Sequence, residues 1–244
     1  MQFSKVTACL LAVGSSVALA QSGDRDWTGE AELGVLVTSG NTEETNINGR
    51  LGMVHEVARW RNLLELRTLY SKADGETTAE RYATSAETNL KFNQRQYLFL
   101  RGAYDDQRFS GYDFQSSATT GYGNRVWELG ERSFLDLSVG GGYRFNKLKE
   151  PDEDGSRDEE EAIVRLAAQF DYAFSDNALF RQKLGSEIGL DENNVITQSE
   201  TSLQATVVND LSMKVAFRVK DVSDAPAGNE NTDTETSLSL LYGF

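Results

Sequence analysis

The sequence predicts an all-β fold: a transmembrane, antiparallel, up-and-down β-barrel of about 12 strands, with both chain ends on the periplasmic side. Three observations predict it. Apolar residues recur at every second position over long segments, the connectors alternate between short and long, and the chain ends on an aromatic residue inside such a segment.

The leader comes first. Lys5 precedes an apolar stretch over residues 6–17, and Ala18-Leu19-Ala20 forms a small-x-small cleavage site, so residues 1–20 read as a secretory signal peptide and 21–244 as the mature barrel. The apolar stretch is shorter than the ~20 residues a helix needs to span a bilayer. Cys9, the single cysteine, sits inside that stretch rather than at the cleavage point. The mature chain therefore has no thiol for a disulfide, a metal or nucleophilic attack. The net charge of −14 becomes −15 once Lys5 is removed. That excludes nucleic acid as a partner, since phosphate binding needs a basic face.

The strands follow. Over residues 211–220, Leu211, Met213, Val215, Phe217 and Val219 alternate with Ser212, Lys214, Ala216, Arg218 and Lys220. A helix would scatter those five apolar residues around its circumference, whereas a strand gathers them on one face. The same period runs through residues 135–145 and 164–174, and more weakly through 31–37, 47–53, 64–70, 82–92, 98–104, 114–122, 180–190 and 201–207. The weakest alternation, at 31–37 and 201–207, is where a register slip is expected. Strands of roughly ten residues match a tilted membrane crossing.

Short connectors are expected at 57–59, 93–95, 128–132, 175–177 and 209–210, and long polar ones at 39–44, 71–77, 106–113, 146–161, 191–196 and 221–231. Both prolines, Pro151 and Pro226, fall in long connectors, where they cost no ladder bond. Aromatics gather beside the short turns (Trp60, Phe92, Tyr97, Trp127, Phe134, Phe174, Phe180) and beside the long loops (Tyr70, Tyr104, Tyr112, Phe114, Tyr143, Phe145). Two such girdles mark the two membrane interfaces. A soluble β-sandwich alternates in the same way, but it accounts for neither the strand length nor the connector pattern.

The final segment, Leu238, Leu240, Tyr242 and Phe244 at alternate positions, resembles the C-terminal assembly signal of outer-membrane proteins, which implies reading by the barrel-assembly machinery. Ser39-Gly40-Asn41-Thr42, the run Leu100-Arg101-Gly102-Ala103-Tyr104 leading into Asp106-Gln107-Arg108-Phe109-Ser110-Gly111, and Gly121-Tyr122-Gly123-Asn124-Arg125 are similar to the YdiY-like family, described as salt-induced outer-membrane proteins and counted as a domain of unknown function. The resemblance implies the fold and the Gram-negative outer membrane, and it carries no catalytic or binding residue.

Candidate chemistry is sparse. His55, the single histidine, falls on the apolar face with no legible nucleophile beside it, so no catalytic residue and no enzyme activity are expected. Residues 150–161 hold Glu150, Asp152, Glu153, Asp154, Asp158, Glu159, Glu160 and Glu161 against Arg157. Their spacing departs from the EF-hand pattern, so a solvated acidic loop is expected, with no metal and no cofactor.

The residues opposite the apolar face carry the remaining chemistry. Arg50, Arg67, Arg101, Arg125, Arg144, Arg165, Arg181, Lys183, Lys214, Arg218 and Lys220 are expected in the lumen, together with Glu32, Glu65, Glu87, Asp105, Asp136, Asp171, Glu187 and Glu200. They either tune a water-filled bore or pair across it and seal it. Gly121, Gly123, Gly140, Gly142, Gly185 and Gly189 face the same way and leave room for long arginines or for water. The expectation is a small passive channel for ions or small polar solutes. The alternative is a closed barrel with a structural or envelope-stress, salt-response role, whose acidic loops meet divalent cations and lipopolysaccharide beside the outer-membrane lipid.

Overall fold

The computed structural model describes residues 26–38, 44–151, 155–191, 194–226 and 228–244. The leader, the Ser39-Gly40-Asn41-Thr42 motif and the loop residues Asp152, Glu153 and Asp154 lie outside the described residues. Twelve strands follow one another: β1 Trp27–Thr38, β2 Glu44–Val57, β3 Trp60–Ala73, β4 Glu76–Lys91, β5 Gln96–Gln107, β6 Tyr112–Glu128, β7 Phe134–Leu148, β8 Asp158–Ser175, β9 Ala178–Gly189, β10 Val195–Val208, β11 Leu211–Val222 and β12 Thr232–Gly243. Each pairs antiparallel with its neighbours in sequence, and β1 pairs with β12, so the sheet is a closed barrel with no helix among the described residues.

Period two dictates the two faces. Leu33, Leu66, Leu100, Val139, Leu184, Leu203, Val215 and Leu238 are exposed on the outside, while Glu32, Arg144, Glu200, Lys214 and Ser237 are buried inside. An exposed apolar belt around a polar interior is the inverse of a soluble sheet, and closure leaves no unpaired edge in hydrocarbon.

The β1–β12 seam is the shortest ladder, from Glu30↔Gly243 to Leu33↔Leu240. Beyond it, Gly29 and Phe244 exchange backbone hydrogen bonds of 2.8 and 2.9 Å. The Phe244 ring lies over Gly29, where a Cβ would come within 2.4 Å of it. Glu32 reinforces the seam from inside, accepting a 2.6 Å bond from Ser239 of β12 and a 3.0 Å bond from Lys214 of β11.

Several expectations are corrected. Residues 71–77 form a tight hairpin rather than a long loop: β3 and β4 stay paired, with a register shift between Ser71 and Lys72. Asp74 (φ 49°) and Gly75 (φ 89°) make the turn in the left-handed region, as the twist of a two-residue hairpin requires. Strands also extend into the connectors at Asp106, Asn146, Asp158 and Asp221, because polar residues beyond the apolar belt still pair in the ladder. The slip expected in 201–207 lies between Thr206 and Val208, whereas β1 pairs β2 without a shift. Tyr97, Phe134 and Tyr112 do not join the aromatic girdles. Tyr112 is buried, Tyr97 lies against Gly123, and the Phe134 ring sits 4.1 Å beneath the Arg125 guanidinium.

Candidate functional site: the charged lumen

The lumen begins with which residues the pleat turns inward. Near the rim that carries the chain ends, Arg181 of β9 grips Asp171 of β8 at 2.7–3.0 Å, and Arg125 of β6 grips Asp136 of β7 at 2.8 and 3.1 Å. Bidentate pairs between neighbouring strands fix arginine geometry better than a point charge would.

In the middle layer the pairs leave the wall. Arg50 of β2 donates to Glu30 (2.9 Å) and Glu65 (2.8 Å). Arg67 of β3 donates to Glu65 beside it (2.7 Å) and, across the lumen, to Glu200 of β10 (2.8 Å). Glu200 also accepts from Arg218 (2.8 Å) and Lys214 (3.3 Å). Arg218 continues to Glu235 of β12 at 2.6 Å. Lys183 of β9 stands 3.9 Å from Glu65 of β3. Those strands lie six steps apart in either direction around the ring, that is, on opposite walls. A round 12-strand barrel measures roughly 24 Å between opposite backbones, given ~4.8 Å spacing and ~40° tilt. A lysine and a glutamate end to end fall well short of that, so the cross-section is oval and these walls approach.

Towards the other rim a second crossing repeats the pattern. Lys220 of β11 reaches Asp105 of β5, again six steps away, at 3.0 Å, and Gln115 of β6 at 2.6 Å. Arg81 holds the same Asp105 with two bonds of 2.8 and 2.7 Å. Arg144, almost fully buried, is bonded to Glu161 and to the Asn194 carbonyl (2.9 Å), which ties β7 to β8 and to the loop before β10. Lys149 donates to the carbonyls of Arg108 and Ser110, fastening two loops at this rim.

Three predicted lumen cations stand apart. Arg101 approaches Glu187 only at 4.0 Å, Arg165 has no carboxylate within 4.0 Å, and Lys183 has the 3.9 Å contact alone, among the described residues. Glu87 likewise has no cation within 4.0 Å among the described residues, and Glu187 accepts 3.0 Å from Ser117.

The glycines divide by what they make room for. A Cβ on Gly121 or Gly140 would strike neighbouring backbone and the buried Phe99 ring, and one on Gly123 would strike Tyr97. These glycines accommodate aromatic rings, not arginines or water. Gly142 abuts the backbone of Ala118 and Thr119, Gly189 abuts Glu161, and only Gly185 of this set faces open space. Phe99 is not legible in the sequence because it stands between Leu98 and Leu100 in an unbroken apolar run; the inward glycines on the next two strands, Gly121 and Gly140, were the available signal.

On the outer face, His55 stacks on Trp27 at 4.4 Å, and its Nδ1 lies 3.3 Å from the Asn62 amide, which in turn is bonded by the Thr88 hydroxyl. The amide stands between hydroxyl and imidazole, so the base does not touch the hydroxyl it would have to activate. Among the described residues no group of acidic, histidine or cysteine side chains is arranged to hold a metal ion.

A closed 12-stranded barrel with this interior can be compared with known proteins. The model of the family described as "Protein of unknown function, DUF481" matches residues 31–244. The chain belongs to the DUF481 family. This DUF481 chain is similar to the Escherichia coli (strain K12) "Uncharacterized protein YdiY", at 26% identity over 229 residues, 91% of this chain and 85% of that protein. Its fold is similar to that of the NanC porin (TM-score 0.51, 13% identity, 88% of this chain and 97% of the other). It is also similar to the COG4313 outer membrane channel from Pseudomonas putida F1 (TM-score 0.50, 11% identity, 93% and 100%). At those identities the shared property is the barrel.

Proposed function

We propose that the protein is a narrow, passive outer-membrane channel for ions and small polar solutes, without enzymatic activity. In this reading it is exported by the cleaved leader 1–20, assembled through Phe244 and its alternate neighbours, and seated in lipid and lipopolysaccharide with its chain ends in the periplasm. The observation that carries it is that the side chains crossing the middle of the lumen keep accessible surface: Lys183 is 32% accessible, Arg67 26% and Glu65 25%, although they bridge opposite walls. A fully packed lumen would leave these side chains no accessible surface; the surface they keep, between fixed charges of both signs, supports a pore whose selectivity those charges set. The solved barrels of similar fold are, by name, a porin and a channel.

The test is conductance of the purified barrel in a planar lipid bilayer. Small, discrete steps are expected, enlarged in Lys183→Ala because that substitution removes a bridge without leaving a tightly hydrogen-bonded partner. Electrical silence of both proteins refutes the channel.

A second reading, a closed structural barrel whose acidic loops meet divalent cations and lipopolysaccharide, is favoured by one feature: the Lys220, Asp105 and Gln115 crossing beneath interlocked loops. It expects silence together with a melting temperature raised by divalent cations.

A further inference from the structure

One lumen cavity differs from the rest of the interior in how its charges are used. A space of about 90 Å³ lies among β5 to β10, bordered by Arg101, Gln115, Arg144, Arg165, Gly185 and Glu187. That is room for about three waters at their liquid volume, or one small solute group.

The carboxylates at this cavity are already engaged. Asp105 is held by Arg81 and Lys220, and Glu187 accepts from Ser117. Of the cations, Arg144 is spent on Glu161 and the Asn194 carbonyl, but Arg101 and Arg165 donate no hydrogen bond to any described residue; Arg101 approaches Glu187 only at 4.0 Å, and Arg165 has no carboxylate within 4.0 Å. Arg165 is nevertheless held in place, its guanidinium 5.8 Å from the ring of Phe99, which is itself wedged over Gly121 and Gly140. The wall also holds a buried donor. Gln115 is 8% exposed and spends its amide oxygen on Lys220, while its amide nitrogen is buried with no acceptor. Buried donors without acceptors are costly, and arginine forks suit planar or tetrahedral oxyanions.

We propose that this cavity is a binding site for a small oxyanion, a carboxylate- or phosphate-bearing solute, held by Arg101 and Arg165. The proposal deepens the channel reading by giving the solute path an anion-selective station.

The experiment is calorimetric titration of the purified full barrel in detergent, at constant ionic strength, with inorganic phosphate, with acetate, and with tetramethylammonium chloride as a cation control. Saturable binding of phosphate or acetate is expected, the tighter of the two assigning the headgroup chemistry, with none of the cation. Arg101→Gln/Arg165→Gln should weaken it at least tenfold. Gly185→Val should do the same by filling the cavity, because nothing lies within 4 Å of a Cβ there and the fold is kept. Arg108→Gln, in an exposed pair with Glu80, should change nothing. Absence of saturable anion binding, or binding untouched by both lumen variants, overturns the site. The bilayer recording separates the two ideas: a silent barrel that still binds oxyanions ends the channel and keeps the site, whereas a conducting barrel that binds none ends the site and keeps the channel.

Discussion

Glu200→Gln is the most searching perturbation of the lumen. Glu200, 6% exposed, accepts from Arg67 and Arg218 at 2.8 Å and from Lys214 at 3.3 Å, so one carboxylate compensates three cations drawn from β3 and β11. Glutamine keeps the shape and one acceptor oxygen but removes the charge. Breaking a buried ion pair by neutralising one partner costs roughly 3–5 kcal/mol, because the remaining charge stays desolvated. Here Glu65, Glu32 and Glu235 share the same cations, and Arg67 keeps about a quarter of its surface accessible, which places the loss at the lower end, about 3 kcal/mol. That is somewhat more than a hundredfold in the folding equilibrium, at ~1.4 kcal/mol per factor of ten. Urea unfolding in detergent micelles, followed by fluorescence of Trp27, Trp60 and Trp127, reads it directly. Arg67→Met alone should also destabilise, and the double variant Arg67→Met/Glu200→Met should lose less than the two single losses added together, by more than about 1 kcal/mol. An unfolding free energy of Glu200→Gln within about 0.5 kcal/mol of the parent would refute the reading that this carboxylate organises the crossing.

The other predictions concern backbone and closure. Gly140→Ala places a Cβ 2.4 Å from the Thr120 carbonyl and 2.7 Å from Phe99, so its unfolding midpoint should fall markedly. Gly102→Ala meets nothing within 4 Å and should be neutral or gain about 0.4–1 kcal/mol in the same titration. Gly75→Ala, at φ 89°, should cost about 1 kcal/mol through turn strain without changing conductance. Glu32→Gln removes the carboxylate that joins β1 to Ser239 and Lys214, and it should speed hydrogen exchange at the β1–β12 seam before that of other ladders. Removal of Phe244 should lower the yield of folded barrel in vesicles, measured by the heat-modified gel shift, far more than it lowers the stability of barrel already folded.

Much of the fold was legible because strand periodicity is a local property. Leu211 to Lys220 displays its two faces in ten residues, and the inward side follows from the charges alone. Turn length was less legible: Ser71, Lys72 and Thr77 are as polar as loop residues, yet they pair, because beyond the apolar belt a strand has no need to alternate. The partner choices in the lumen were not legible at all. Arg67 has Glu65 two residues away and Glu200 133 residues away, and it uses both. Nothing local separates Arg101 and Arg165, left without hydrogen bonds, from Arg125 and Arg181, each clamped by an aspartate on the next strand. Register alone does not make that distinction either: Glu87 lies directly opposite Arg101 and Glu187 opposite Arg165, as Asp136 lies opposite Arg125 and Asp171 opposite Arg181, yet only the two aspartates are gripped.

The size of the inward residues between the charges makes the lumen asymmetric. On the β10 to β12 arc the inward residues between the charges are small, Ser202, Ser212, Ala216, Ser237 and Ser239, so Lys214 and Arg218 can lie down against the wall and reach Glu200 and Glu32. On the β5 to β8 arc the small residues are glycines, and the space they leave is occupied by Phe99 and Tyr97. The arginines beside it, Arg101 and Arg165, face Glu87 and Glu187 across the ladders but hydrogen-bond neither, and they remain open to the lumen. One side of the barrel thus spends its cations on holding the crossing together, and the other keeps two of them accessible to whatever enters.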